Sequence, residues 1–333
     1  MFSENTATRI DISNIEQAWS GGVLAPNGKI YGIPLNSQSV LIFDPIRNIS
    51  DTTTISGLTG NNKWVGGVVA PNGKIYCIPF DSESVLIIDP KTNIIDTTSI
   101  TGLTGLEKWG GGVLAPNGKI YCIPFTSRNV MVIDPVTNTK SFIELDTYED
   151  IQWLGGVLAP NGKIYGIPLW NSTVLIIDPV NNTVNTTTIT GLTSGTLKWY
   201  GGVLAPNGKI YGMPFNSSSV LIIDPSNNTA NTSTISGLTG DRKCIGGVLG
   251  TNGKIYGIPC DSDNVLIIDP DNNTINRSAI TGLTTNTWKW AGGILAPNGK
   301  IYGIPRSDPS LLQIKTGLPI QQPWMLAPEF NKF

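Results

Sequence analysis

The segment GGVLAPNGKIYGMP, residues 201–214, constrains the fold of this chain most, because near-copies of it recur along the sequence. Most copies are followed by a VLIIDP-like run and a segment rich in Thr and Ser. A period of about 45 residues is typical of architectures in which one supersecondary unit is repeated. The seven copies begin at Gly21, Gly66, Gly111, Gly155, Gly201, Gly246 and Gly292.

Each repeat is interpreted as four strands joined by tight turns. In the copy that starts at Trp199, an apolar run leads to Pro206, Asn207 and Gly208, where proline presets a turn and glycine supplies a positive φ. The VLIIDP run is apolar at consecutive positions, as in a strand covered on both faces, and the alternating NTSTI segment is typical of an edge strand. The sequence therefore predicts an all-β, seven-bladed β-propeller with four-stranded blades.

The repeats cover nearly all of the 333 residues, so we expect one closed array over residues 1–317 and a tail over residues 318–333. The seventh repeat has a third strand near residues 311–315 but lacks a fourth. Residues from about Thr6 to Ser13 resemble a fourth strand that precedes the first repeat. The N-terminal strand is therefore predicted to close the last blade and cover its open edge. We attribute the glycine pairs to crowding of the innermost strands around a central channel.

The segments VLIIDPVNNTVNTTTI and APNGKIYGIP resemble the YVTN-type and kelch-like propeller repeats. The WD and GH signatures are absent, and so is the Trp that kelch repeats place after the Asp turn. The resemblance implies the propeller fold over all seven repeats. Some proteins with similar repeats are lyases or lactonases, whereas others are surface proteins or interaction platforms, so the fold does not select an activity.

Composition excludes several classes of function. Charged residues make up 14% of the chain and the net charge is −2, so a nucleic-acid partner is not expected. No apolar stretch approaches the length of a membrane span, and the first ten residues do not resemble a signal peptide. The four cysteines are expected to be buried free thiols, and the several Asn-x-Ser/Thr sequons suit an extracellular protein as well as they suit polar turns.

Two sets of polar residues recur at matched positions of each repeat. Lysines begin the second strand and aspartates end the third, so we expect cross-strand ion pairs or aspartates that cap their own turns. A charged ring that binds an anion is the alternative. Seven tyrosines, each two residues after such a lysine, are predicted to pack between blades with a polar partner for the hydroxyl; they are Tyr31, Tyr76, Tyr121, Tyr165, Tyr211, Tyr256 and Tyr302.

The candidate ligand-binding residues lie just before the glycine pairs. Aromatic faces beside cations suit stacking on sugars or the binding of anionic groups. The alternative is that each indole packs as a wedge between adjacent blades. The recurrence of the tryptophan in nearly every blade favours this alternative. The slot tryptophans are Trp19, Trp64, Trp109, Trp153, Trp199 and Trp290, with Cys244 in the sixth repeat, and the slot lysines are Lys63, Lys108, Lys198, Lys243 and Lys289.

Residues that differ between repeats concentrate in the loops after the second strand. They are expected to share one face with the slot tryptophans, where a partner would contact them; they are Asp81, Glu83, Arg128, Trp170, Asp261, Asp263 and Arg306. The carboxylates lie in separate blades, so no metal site is predicted. The tail carries the candidate assembly residues Trp324, Met325, Leu326, Phe330 and Phe333.

The chain contains no histidine, which removes the commonest general base, the Ser-His-acid triad and any imidazole-based zinc site. We therefore expect a non-catalytic protein without a cofactor that binds a glycan or a protein. A second hypothesis is a structural building block that forms homo-oligomers or filaments through its tail. A lactonase-like or lyase-like enzyme is the third.

Overall fold

The computed structural model describes residues 5–12, 18–145, 153–193 and 195–316, and all regular secondary structure in these ranges is β. The strands form seven four-stranded antiparallel sheets, which are the blades of a β-propeller. The predicted fold class is confirmed. Within the described part of the chain, no helix is long and apolar enough to cross a membrane.

The strands of each blade follow one another in chain order, from the first to the fourth. The first strands are β2 (Trp19–Leu24), β6 (Trp64–Val69), β10 (Trp109–Leu114), β14 (Trp153–Leu158), β18 (Trp199–Leu204), β22 (Cys244–Leu249) and β26 (Trp290–Leu295). The second strands are β3 (Ile30–Pro34), β7 (Ile75–Pro79), β11 (Ile120–Pro124), β15 (Ile164–Pro168), β19 (Ile210–Pro214), β23 (Ile255–Pro259) and β27 (Lys300–Pro305).

The third strands are β4 (Leu41–Asp44), β8 (Leu86–Asp89), β12 (Asn129–Asp134), β16 (Leu175–Asp178), β20 (Leu221–Asp224), β24 (Ile267–Asp269) and β28 (Ser310–Lys315). The fourth strands of blades 1 to 6 are β5 (Ile49–Asp51), β9 (Ile94–Asp96), β13 (Thr139–Glu144), β17 (Thr183–Asn185), β21 (Thr229–Asn231) and β25 (Thr274–Asn276). The fourth strand of blade 7 is β1 (Thr6–Asp11), from the start of the chain.

The first strands of neighbouring blades pack against one another around the whole ring, which makes them the innermost strands. Their glycine pairs serve two purposes. Gly201 has φ of 72° and lies in a bulge where the pairing register shifts between Trp199 and Gly202. A Cβ on Gly202 would lie 2.8 Å from Ile167 Cδ1 of the preceding blade. The glycine pairs therefore have two causes: the crowding that the sequence predicted, and a bulge that needs a positive φ.

The N-terminal strand closes the ring as predicted. β1 pairs antiparallel with β28 in continuous register from Thr6 opposite Lys315 to Asp11 opposite Ser310. It is the outermost strand of blade 7, and it covers the edge that β28 would otherwise expose. Ser13, which the sequence analysis placed in the same strand, lies outside the described residues.

An ion pair between a partly exposed arginine and a buried aspartate fixes this closing strand to its blade. The Arg9 guanidinium lies 3.0 Å from the Asp308 carboxylate, whose side chain is fully buried. Asp308 also accepts hydrogen bonds from the Ser310 N–H and hydroxyl, and Arg9 Nε donates to the Ser310 hydroxyl at 2.9 Å. The closure therefore depends on a specific charge contact as well as on backbone pairing.

The recurrent tyrosines join each blade to the next, as predicted. The Tyr211 hydroxyl donates to Asn273 Oδ1 of the following blade at 2.8 Å and accepts from Asn207 of its own turn at 3.1 Å. Asn207 Nδ2 also donates to the Pro270 carbonyl at 2.9 Å. Burial raises the pKa of Tyr211, so the hydroxyl remains a neutral donor in this contact.

The recurrent lysines and aspartates form the expected cross-strand pairs in four blades. The Nζ to Oδ2 distances lie between 2.9 Å and 3.5 Å, and each exposed pair contributes about 1 kcal/mol or less. In blades 1 and 2 the carboxylates of Asp44 and Asp89 cap their own turns instead. The four pairs are Lys119–Asp134, Lys163–Asp178, Lys209–Asp224 and Lys254–Asp269.

The four cysteines are buried and free, as expected, and burial raises the pKa of each thiol. Cys244 occupies the place of a slot tryptophan in blade 6 and contributes to the core there. A thiol with a raised pKa is a weak nucleophile, so these residues act as small apolar side chains in the blade cores.

Candidate binding site at the channel mouth

The slot tryptophans lie in the cores between blades. Trp199 is 1% exposed and packs with Tyr165 and Ile167 of blade 4 as well as Ile210 and Leu221 of blade 5. Its indole N–H donates to the Ser219 carbonyl at 2.8 Å, so its polar atom is satisfied inside the protein. This environment matches the interpretation of Trp199 as a wedge between blades.

The other slot tryptophans have the same surroundings and do not present an open aromatic surface. Each indole donates to a backbone carbonyl twenty residues further on, in its own blade, and each side chain is at most 4% exposed. The residues in this position are Trp19, Trp64, Trp109, Trp153 and Trp290.

The slot lysines are buried as well, and their ammonium groups bind backbone carbonyls. Lys63 Nζ donates to the carbonyls of Leu35, Ser37 and Gly60 at 3.1, 3.0 and 2.7 Å. The Leu35 and Ser37 carbonyls belong to a loop of the preceding blade, and the Gly60 carbonyl belongs to the segment that leads into Lys63, so the ammonium holds two blades together. Lys108 and Lys198 bind carbonyls of both kinds. Lys243 and Lys289 bind the carbonyl three residues before them in the chain.

Burial makes these ammonium groups easier to deprotonate than those of ordinary lysines. Desolvation lowers the pKa of Lys63 to about 8 and that of Lys198 to about 8. It also lowers the pKa of Lys108, Lys243 and Lys289. The carbonyl dipoles act in the opposite direction, because they favour the charged form.

We predict that the destabilisation caused by Lys63→Met grows as the pH rises from about 8 to about 10. The folded pKa of Lys63, about 8, lies below the unfolded value. Between the two values the unfolded chain binds the extra proton, so wild-type stability gains up to about 1.4 kcal/mol per pH unit over the variant. Urea unfolding of both proteins across this range measures the difference, in which the tyrosine and cysteine contributions cancel.

Lys91→Met, on an exposed turn, is the control for the loss of one lysine. A difference between wild type and Lys63→Met that does not change with pH would show that the carbonyls fully offset the burial of the Lys63 ammonium.

A different group of residues lies at one end of the channel. The loops before the first strands, such as residues 61–63, and those after the second strands, such as residues 80–84, meet at the same face, the loop face. They hold adjacent blades together: Asp81 Oδ1 accepts from the Glu107 N–H at 2.6 Å, and Asp261 Oδ1 accepts from the Trp288 N–H at 2.7 Å. The position before each slot lysine differs between blades.

Trp288 is the centre of this group. The Arg306 guanidinium lies 4.3 Å from the centroid of the indole ring, and the Arg242 guanidinium lies 5.6 Å from it. Arg242 is held in place by the Asp261 carboxylate at 2.6 Å. Phe215, which is buried, packs against Trp288 with a centroid distance of 5.7 Å. Unlike the slot tryptophans, Trp288 is only half-buried.

Residues from blades 1 and 5 complete the group. Tyr200, in the second position of β18, packs against Phe215 at 5.7 Å. Burial raises the pKa of Tyr200, and the nearby Arg306 guanidinium and Ser20 hydroxyl act to lower it. These side chains belong to blades 1, 5 and 7, and Asp261 belongs to blade 6, so the group joins residues from four blades at the channel. We call this set the mouth cluster: Ser20, Tyr200, Phe215, Arg242, Asp261, Trp288 and Arg306.

The sequence pattern predicted only some residues of the mouth cluster. Arg306 and Asp261 were named as residues that differ between blades, but Tyr200, Arg242 and Trp288 were not. A signal for them exists, because the residue before each slot lysine and the residue after each slot tryptophan break the repeat. Asp263 lies in the same loop as Asp261, and Asp81, Glu83, Arg128 and Trp170 lie in other loops of the same face, where Trp170 is 42% exposed.

Within the described ranges, no group of three or more Cys, Asp or Glu side chains is placed to hold a metal ion. The proposed assembly residues, Trp324, Met325, Leu326, Phe330 and Phe333, lie outside the described part of the chain. Assembly through the tail therefore stays a prediction.

Comparisons with known proteins agree on the fold class. No protein-family model matches the chain, and no curated protein matches it by sequence. Streptogramin B lyase has a TM-score of 0.75 and 12% identity over 94% of this chain and 98% of that one. A catalytically inactive His-to-Ala variant of virginiamycin B lyase from Staphylococcus aureus, with quinupristin, has a TM-score of 0.77 and 11% identity over 94% and 99%.

An extracellular domain is also similar. That of a hybrid two-component system from B. thetaiotaomicron has a TM-score of 0.67 and 12% identity, over 94% of this chain and 42% of that chain. At these identities the similarity shows the β-propeller fold, and it does not show membership of the YVTN-type or kelch-like family.

Proposed function

We propose that this β-propeller is a non-catalytic binding module that recognises a glycan or a protein at the mouth cluster. One observation carries the proposal: the Arg242, Trp288 and Arg306 side chains break the sevenfold repeat at a half-buried position on the loop face. Packing alone does not require them, because the other blades close without this arrangement. A site that departs from the repeat in this way can recognise one particular partner.

The repeated residues are less suited to recognition than the mouth cluster. The slot tryptophans are buried in the blade cores, and the slot lysines already bind backbone carbonyls. The mouth cluster, in contrast, combines aromatic rings, two guanidinium groups and hydroxyls around one channel end. Aromatic and arginine side chains of this kind dominate the energetics of many binding sites.

Two observations favour binding over catalysis. The lyase of similar fold is inactive as a His-to-Ala variant, so its activity depends on a histidine, whereas this chain contains none. Asp261, the carboxylate of the mouth cluster, is engaged by Arg242 and by the Trp288 N–H, which suits a positioning role. The extracellular domain of a hybrid two-component system that has a similar fold is a precedent for the same architecture in a signalling protein.

Glycan and peptide arrays probed with the wild-type protein test the proposal. We expect Trp288→Ala to abolish the interactions found and Trp170→Ala, the same change at an exposed position of the same face, to preserve them. Thermal unfolding of both variants checks that each is folded. Absence of any interaction with wild type, or equal loss in both variants, would rule out the mouth cluster as the recognition site.

A further inference from the structure

We infer that the mouth cluster receives a single carboxylate group of its ligand, bound by the Arg306 guanidinium. This inference rests on the proposed binding function and adds the chemical class of the ligand. Its physical basis is one positive charge at the channel mouth with which no carboxylate of the described residues forms an ion pair.

The mouth cluster contains two guanidinium groups and one carboxylate. The Arg242 guanidinium is neutralised by the Asp261 carboxylate at 2.6 Å. Among the described residues, no carboxylate forms an ion pair with Arg306, and Asp308, two positions further on, is engaged by Arg9 on the outside of the blade. A half-buried guanidinium without a counterion favours binding of an anion, because its attraction is less screened there than in bulk water.

The orientation of Arg306 suits a carboxylate. Its guanidinium lies 4.3 Å from the Trp288 ring centroid, so the ring supports the flat group. Stacking engages the face of the guanidinium, and the Tyr200 hydroxyl is a hydrogen-bond partner at its edge. A guanidinium has five N–H donors, so donors remain for two parallel hydrogen bonds to a carboxylate.

Neutral hydroxyl groups lie close to the Arg306 guanidinium. The Ser20 side chain is 1% exposed, and its hydroxyl, which lies beside that of Tyr200, forms no well-aligned hydrogen bond with a described residue. Burial keeps the Tyr200 hydroxyl protonated by raising its pKa. A buried hydroxyl without a well-aligned partner is costly, and a ligand oxygen would satisfy it.

The same arrangement selects a monoanion over a dianion. Of the two guanidinium groups in the mouth cluster, only that of Arg306 has no ion pair with a described residue, and the carboxylates of Asp261 and Asp263 lie in the adjoining loop of blade 6. A phosphate monoester would bring a second negative charge near these carboxylates, whereas a carboxylate matches the charge of Arg306.

Isothermal titration calorimetry with small probes tests the inference. The probes are methyl glucuronide, its neutral methyl ester, N-acetylglycine, N-acetylglycinamide and methyl phosphate. We expect the two carboxylates to bind and their neutral counterparts not to bind. The tighter of the two carboxylates indicates whether an acidic saccharide or a peptide terminus is the source of the group.

Arg306→Gln removes the charge and keeps hydrogen-bond donors, and we expect it to weaken carboxylate binding roughly tenfold or more. Arg47→Gln, on the opposite face, is the matched control and should bind as wild type. Equal binding of acid and ester, tighter binding of methyl phosphate, an unaffected Arg306→Gln or no probe binding would each overturn the inference. If neutral array ligands still bind in a manner that depends on Trp288, the binding function stands and only the carboxylate assignment fails.

Discussion

Trp199→Ala is expected to lower the free energy of unfolding by about 3–5 kcal/mol, the usual cost of emptying a large buried aromatic site. The indole is 1% exposed, and it packs against the second strands of two blades, β15 and β19. Its loss would leave a cavity at a junction between blades and remove the donor that binds the Ser219 carbonyl. Chemical denaturation followed by circular dichroism measures the effect.

Trp170→Ala is the matched control, because the same side chain is removed from a position that is 42% exposed. It should change stability by no more than about 0.5 kcal/mol. Trp199→Phe separates packing from the hydrogen bond and should cost less than alanine. Wild-type stability in Trp199→Ala would mean that the slot tryptophans are not core residues, and would restore them as candidates for ligand contact.

Deletion of residues 1–12 is expected to lower the melting temperature by on the order of 10 °C and to convert monomer into aggregate. The deletion removes β1, so the backbone groups and apolar residues of β28 become an open edge. It also removes Arg9 and leaves the buried Asp308 carboxylate without its cation. Size-exclusion chromatography and thermal unfolding measure the two effects.

A shorter deletion that ends before Asn5 keeps the strand and the Asn5 side chain that accepts from the Tyr256 hydroxyl, and it should behave as wild type. A synthetic peptide of residues 5–12 should restore the melting temperature of the longer deletion, because it can pair with β28 in the same register. An unchanged monomer with an unchanged melting temperature would show that the ring does not depend on this strand for closure.

The sequence by itself determined the number and the order of the blades. A repeat of about 45 residues with a Pro-Asn-Gly turn and an Asp-Pro turn leaves little freedom in the placement of the strands, because each turn signal fixes the end of a strand. The closure by Thr6 to Asp11 was predictable for a related reason: one repeat lacked its last strand and the chain began with an unmatched one.

The repeat also predicted contacts that depend only on local pairing. Tyr211 reaches a polar partner in the next blade, and Lys209 faces Asp224 across two neighbouring strands. Such contacts follow from strand register and from the regular rotation between blades, and both are properties of the repeat. The glycine pairs were only partly explained, because a bulge at Gly201 is not visible in the spacing of residues.

Only the tertiary structure decided which residues form the candidate site. The sequence could not distinguish a slot tryptophan buried between blades from one exposed on a ligand surface, since both have the same neighbours in the chain. Burial of Trp199 depends on the packing of the preceding blade against it. Ser20, Tyr200 and Arg306 are separated by most of the chain and meet only because the ring closes, which brings the first, fifth and seventh blades together around one channel.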